Sequence, residues 1–363
     1  LLILKHFNSN MRRVIAIAVF VFLLLPCAMA DTTDVVAPEP PKKISMMDKI
    51  AAKGKFPRFC VNTVRWFQRT FNSFDTAYVV GHGKDFAIRP SVSMWYDTHY
   101  MKYDDGSRIS MLSDPFVQIG IRGSFKFLSY TYNFRPTSRD KQGYSKQWSI
   151  GFTLNMLEAN YHYHSNEVGT TIEKYQYNGE KVLGNEFLKG FKSTVHTAEV
   201  NYIFNHHKFS RAAATSMGRI QKRSAGSPFV GFRFALNEIT MDYNALLDPE
   251  PKTPDPALIH TLEYYNYHAT VGYAYNFVLG RGWMLGLSNG FSLGLSRGNS
   301  GNGFGSRFGF SDKLSFVLGW NRPKWFVNLN AEGVMSYYRE QKSFLIQSYV
   351  IGMLAVGFRF SLW

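Results

Sequence analysis

Two groups of residues in this 363-residue chain have types and spacings that could do chemistry. In 158–166, EANYHYHSN, the residues Glu158, His162 and His164 share one parity. On a strand, residues two apart project to one face, so a carboxylate and two imidazoles stand together. Glu199 falls on the inward parity of the next alternating segment. A nearby serine would complete the parts of an acyl-transfer site, and two His at i and i+2 could begin a metal site. Neither spacing is specific, because alternation alone puts any such pair on one face. The second group is the basic run 205–227, NHHKFSRAAATSMGRIQKRSAGS, which crowds Lys208, Arg211, Lys222 and Arg223 together. These could dock lipid phosphates or simply keep a loop solvated. There is no Walker loop, nucleotide fingerprint, metalloprotease helix motif or CxxC. Gly81-His82-Gly83 and the glycines at 298–305 read as turns, since no helix follows them. No cofactor, metal or catalytic residue is therefore assigned.

The elements that must carry these residues are strands. From about Phe86 to the end, apolar and other residues alternate with period two. Switches of apolar parity mark tight turns: Ile121 to Leu128, Met156 to Leu157, and Leu236 to Ile239. Short turns are also expected at 279–282 and 321–324, and long polar loops at 135–146, 165–191, 245–259 and 297–304. The expected strands are 86–102, 108–124, 127–135, 147–156, 158–166, 193–204, 208–217, 227–236, 238–244, 261–278, 283–296, 305–320, 325–338 and 343–362. That is about 14, with 12 as the alternative: the strand at 208–217 is the weakest, and losing it requires a second change. The fold class is all-β, an antiparallel transmembrane barrel of the outer-membrane kind, with short turns on the periplasmic side. By parity the inner face carries Arg89, Asp97, His99, Arg122, Arg135, Glu158, His162, His164, Glu199, Arg233, Glu238, Asp242, His268, Lys313, Glu332 and Arg359. Such charges cannot face lipid, so the lumen reads as packed with ion pairs, with a small polar pore as the other possibility.

The two ends of the chain suit this reading. Met11 reads as the start, with residues 1–10 as upstream read-through. Arg12 and Arg13, the apolar run Val14–Leu25 and the Ala28-Met29-Ala30 site form a secretory signal. Cys27 raises a lipidation site, which Pro26 fits poorly; cleavage would leave Cys60 alone and exclude an intramolecular disulfide. Residues 1–30 are thus assigned to read-through and signal. Residues 31–73 are a periplasmic tether with a basic amphipathic helix near 58–73, and 74–363 are the barrel. In the helix, Val61, Val64, Phe67 and Phe71 keep helical spacing between Arg58, Arg65 and Arg69. The last strand ends on Trp363 and resembles the closing strand that the barrel assembly machinery reads. Trp283, Trp320, Trp325 and Trp363 fall near the expected periplasmic edge.

The formal charge of +15 would suggest nucleic acid in a cytosolic protein. In an exported barrel it points to outer-membrane lipid and glycolipid phosphates instead, and no nucleic acid is expected. Mean hydropathy is slightly negative although 45% of residues are hydrophobic, as fine interleaving requires.

Two stretches carry a family resemblance. Asn205, Lys208-Phe209-Ser210 and Gln221–Ser227 look like the central signature of an exported domain of unknown function from Bacteroides-type bacteria. Phe74-Asp75-Thr76-Ala77-Tyr78-Val79 looks like its N-terminal signature, and the resemblance spans roughly 70–363. Arg211 departs from it, standing where an aromatic is expected. The resemblance implies an outer-membrane barrel and brings no activity or site residues. The expected role is structural, binding or narrow-channel, with an enzyme acting on lipid or glycolipid as the alternative.

Overall fold

The computed structural model describes Ala52 and residues 54–113, 115–136, 144–177, 179–244, 255–298, 306–340 and 343–361. The signal peptide, nearly all of the tether, Trp363 and most of the loops at 135–146, 245–259 and 297–304 lie outside the described residues. Helix α1 spans Lys55–Phe71, close to the range its spacing predicts. No helix among the described residues is long and apolar enough to cross a membrane.

Twelve antiparallel strands close into a barrel: β1 Phe86–Lys102, β2 Phe116–Phe125, β3 Leu128–Phe134, β4 Ser145–Thr153, β5 Leu157–Asn166, β6 Gly190–Ile203, β7 Ala225–Asp242, β8 Ile259–Gly280, β9 Trp283–Gly298, β10 Ser306–Asn321, β11 Trp325–Glu340 and β12 Ser343–Phe360. Each pairs with its neighbour, and β12 closes on β1 from Phe344↔Lys102 to Phe360↔Phe86. Closure leaves no free edge in the wall. Tight turns join β2 to β3, β4 to β5, β8 to β9 and β10 to β11 at one end, the short-turn end. At β8–β9, Gly280, Arg281 and Gly282 all take positive φ (86°, 51° and 86°), which a residue with a Cβ rarely accepts.

Outward positions form an apolar belt. Ile121, Ile150, Phe232, Val271, Leu293, Leu314 and Val350 are all exposed, as a surface wetted by lipid requires. Aromatic rings rim the belt at the short-turn end, where Trp325 lies 4.6 Å from Phe358 and Phe86 lies 5.5 Å from Phe360. Toward the other end Tyr337 lies 5.1 Å from Phe310 and 6.0 Å from Phe344.

Three expectations are corrected. First, 227–236 and 238–244 are one strand, β7, with no turn between them. Its odd residues face inward throughout, and Ile239 and Met241 are buried at 0% and 3% exposure. Parity switches because the inner face passes from polar to apolar surroundings, so Glu238 and Asp242 do not point into the lumen. Second, 208–217 is not a strand. It folds as a turn and the short helix α2, Arg211–Thr215, whose Ala212, Ala213 and Ala214 are buried and favour helix. Third, 108–124 breaks in two. Arg108–Leu112 pairs with the far end of β1 and with Thr170–Tyr177, which lies inside the expected loop 165–191. The first two changes together reduce 14 strands to 12.

Candidate chamber and its plug

The inside of the barrel is layered. At the long-loop end Met101, Ile109, Met111, Ile172, Leu188, Phe191, Ile239, Met241, Tyr264, Tyr338 and Leu345 form one apolar cluster. They come from β1, β6, β7, β8, β11, β12 and the extra strands Arg108–Leu112, Thr170–Tyr177 and Glu186–Leu188, so the cluster spans the lumen. At the short-turn end the chain between β6 and β7 turns inward. Ala213, Ala214 and Met217 pack on Met284, Val317 and Phe326 of the wall. Gly286 and Gly319 make room for it: a Cβ on Gly286 would lie 3.0 Å from that of Ala214, and one on Gly319 would overlap the Met217 side chain.

The residues that carry the resemblance fasten this plug. The Gln221 amide donates to the carbonyls of Lys208 (2.6 Å) and Arg223 (2.9 Å), and accepts from the Ser210 N–H (3.0 Å) and Asn276 Nδ2 (3.3 Å). That satisfies an amide completely. Asn205 Nδ2 donates to Gly226 O (2.8 Å), and the Asn205 N–H donates to Ser227 Oγ (2.8 Å). The segment 74–80 joins in: Val79–Val80 pairs with Ile220–Gln221, and the Asp75 N–H donates to His207 O (2.8 Å).

Between plug and apolar layer lies a cavity of about 270 Å3. Glu158, His162, His164 and Glu199 all line it, so the structure brings the expected lumenal cluster together. Arg89, Arg122, Arg211, Arg233 and Lys313 supply five cations around it, against the four carboxylates Asp97, Glu158, Glu199 and Glu332. Arg211 Nε lies 2.5 Å from Glu158 Oε2, and its guanidinium sits 4.4 Å over the Phe229 ring. Lys313 Nζ lies 3.3 Å from Glu332 Oε2, and Asn201 Nδ2 donates to Glu199 at 2.5 Å. The two His do not work as a pair. The His164 ring lies 4.2 Å from that of Trp95 at a 45° tilt, and its Nε2 is buried without a partner. Ser149 and Thr197 are the cross-strand neighbours of His162, yet no hydrogen bond joins either to it. Among the described residues no group of three or more His, Cys, Asp or Glu could hold a metal ion.

The basic run splits. Arg211 is buried at 8% exposure in the chamber and meets no lipid, which corrects its expected place. Lys208, Lys222 and Arg223 stay exposed around Tyr78. Lys208 Nζ lies 5.4 Å and Arg223 Cζ 5.7 Å from that ring, and Lys222 Nζ donates to Thr76 O at 3.2 Å.

A second cavity, of about 460 Å3, opens beside the plug at the short-turn end. Its wall includes His82, read from the sequence only as part of a turn. His82 Nδ1 accepts the Lys84 N–H at 3.2 Å. Burial, with the Arg359 and Arg219 charges nearby, lowers the imidazole from 6.5 to about 3. Between those values the unfolded chain binds a proton that the folded one refuses, so stability falls as pH drops through that window. Lowering pH from about 7.5 to about 5 should cost at most ~2 kcal/mol through this group. His82→Gln should flatten that part of the urea midpoint's pH dependence. An unchanged slope would show that His82 titrates normally.

The family model described as Domain of unknown function (DUF4421) matches residues 73–360. The chain belongs to the DUF4421 family. No curated protein matches it. Among solved structures it is similar to the outer-membrane protease OmpT from Escherichia coli, at 7% identity and TM-score 0.36 over 76% of this chain and 97% of that one. It is similar to an outer-membrane channel from Pseudomonas putida F1, at 9% identity and TM-score 0.35 over 77% and 96%. It is also similar to the translocator domain of the autotransporter NalP from Neisseria meningitidis, at 10% identity and TM-score 0.33 over 84% and 96%. Likeness this distant carries no role over to this DUF4421 chain.

Proposed function

We propose that this DUF4421 chain is an outer-membrane barrel closed to ion flow, whose interior is a rigid polar binding chamber. Both ends of the barrel domain and its short turns face the periplasm. The observation that carries the reading is the layering of the lumen. A plug fills one end, an apolar cluster spans the other, and a cavity of about 270 Å3 lies between. That volume sits just below the size of ordinary small-molecule pockets. Twelve strands enclose less lumen than the 16–18 of open porins. Membrane lipid is the outer partner, its phosphates meeting the exposed Lys208, Lys222 and Arg223. The barrel assembly machinery is the proposed partner of β12. Planar-bilayer recordings of purified protein should show no steady conductance. Stable channels of porin size would overturn the reading. A variant with 211–217 replaced by a glycine-serine linker should stay closed, because the apolar cluster still spans the other end, and only loss of both layers should conduct.

A further inference from the structure

The cavity at the short-turn end is lined by cations in excess. Lys84, Arg122, Lys126, Arg219 and Arg359 line it against a single carboxylate, Asp85. That carboxylate is only loosely matched, 3.9 Å from Lys126 Nζ. Arg359 is already committed. It donates to the carbonyls of Arg322 and Met217 and to Asn321 Oδ1 (2.8 Å), and lies 4.3 Å over Phe326. It therefore adds potential without offering its hydrogens. Others remain available. Arg219 stacks on Phe74 at 5.3 Å and meets no carboxylate among the described residues. Arg122, which also lines the first chamber and is shared with its carboxylates, donates to Ser129 Oγ at 2.7 Å, while its Nε is buried without a partner. Asn155 Oδ1, in the same wall, is also buried without a donor.

Cations in excess over carboxylates in a walled recess concentrate the field there and call for an anion with several acceptor oxygens. Arginine favours phosphate in particular, because its planar fork matches phosphate oxygens two at a time. The unsatisfied Asn155 Oδ1 asks for a donor, which a hydroxyl on the same ligand supplies. The volume of about 460 Å3 leaves room for more than a bare ion.

We propose that this cavity binds a phosphomonoester or phosphodiester carrying a hydroxylated organic group, held by Arg219, Arg122 and Lys84 with Asn155 taking the hydroxyl. The proposal does not depend on whether the barrel conducts. Such a phosphate could be free in the aqueous space or belong to a lipid headgroup.

The test uses the full-length protein, titrated calorimetrically with glycerol 1-phosphate and with inorganic phosphate. Titrations are run in phosphatidylcholine nanodiscs and repeated in phosphatidylglycerol nanodiscs. Saturable binding is expected in phosphatidylcholine, tighter for glycerol 1-phosphate than for inorganic phosphate. The double variant Lys84→Gln/Arg219→Gln should weaken it by roughly tenfold or more. Lys174→Gln, exposed on Thr170–Tyr177 and in the wall of neither cavity, should leave it unchanged. Loss of the titration in phosphatidylglycerol would assign the site to a lipid headgroup, and its persistence would assign it to a free ester. No saturable binding in phosphatidylcholine, or equal affinity in the double variant at wild-type heat-modifiability, would overturn the proposal.

Discussion

Replacing Glu158 by glutamine is expected to destabilise the folded barrel by roughly 3–5 kcal/mol. The Arg211 guanidinium is carried into the lumen by α2 and is buried, with Glu158 its near carboxylate at 2.5 Å. Arg211 Nη1 already lacks a hydrogen-bond partner, so the pair has little in reserve. Taking away one member leaves a buried cation without its carboxylate, and that costs more than the pair itself contributes. The double variant Glu158→Gln/Arg211→Leu should recover most of the loss. Leucine would sit against the Phe229 ring, and neither charge of the pair would remain to solvate. Urea midpoints read from heat-modifiable gel mobility distinguish the cases. A single variant as stable as the parent, or a double variant worse than the single, would show that the ion pair does not anchor the plug.

The second large effect lies on the opposite face of the wall. Leu314 is 58% exposed in the middle of the apolar belt, next to the inward Lys313 and Ser315. Leu314→Arg should cost roughly 2–4 kcal/mol near the bilayer midplane. Ser315→Ala, one residue along but facing the chamber, should change stability by no more than about 0.5 kcal/mol. Assembly yield in outer membranes and urea midpoints in detergent both report it. Equal tolerance of the two changes would mean that the facing of β10 is reversed.

Much of this wall was legible in the sequence. Period two was enough to place Arg89, Glu158, His162, Glu199 and Lys313 inside, because lipid outside and charge inside leave no third arrangement. What alternation cannot report is what fills the interior. It reads a switch of apolar parity as a turn. In β7 the switch at Leu236 to Ile239 marks instead the height at which the lumen becomes apolar. Arg211-Ala212-Ala213-Ala214 fits either a strand of small residues or a helix turn, and only packing against Met284 and Val317 decides between them. The mouth cavity was hidden for another reason. His82, Arg122, Arg219 and Arg359 are far apart in sequence and meet only once the barrel closes.

The ribbon between Val79–Val80 and Ile220–Gln221 also has a mechanical meaning. It is the shortest ladder among the described residues, two residue pairs against seven or more at each seam of the wall. Residues ahead of Asp75 lead directly into it. Tension applied to that lead is borne first by the bonds that Asn155 and Met156 of the β4–β5 turn donate to Phe71 O, Asn72 Oδ1 and Ser73 O (3.0–3.3 Å), and then by the ribbon, the Asp75–His207 bond and the Lys222 N–H to Tyr78 O bond of 2.7 Å. Few bonds share the load, so they yield while the wall stays intact. Because Gln221 grips Lys208, Ser210 and Arg223, the displaced ribbon draws on the plug itself. The start of the domain is thus a pull-cord tied to the stopper of its own barrel.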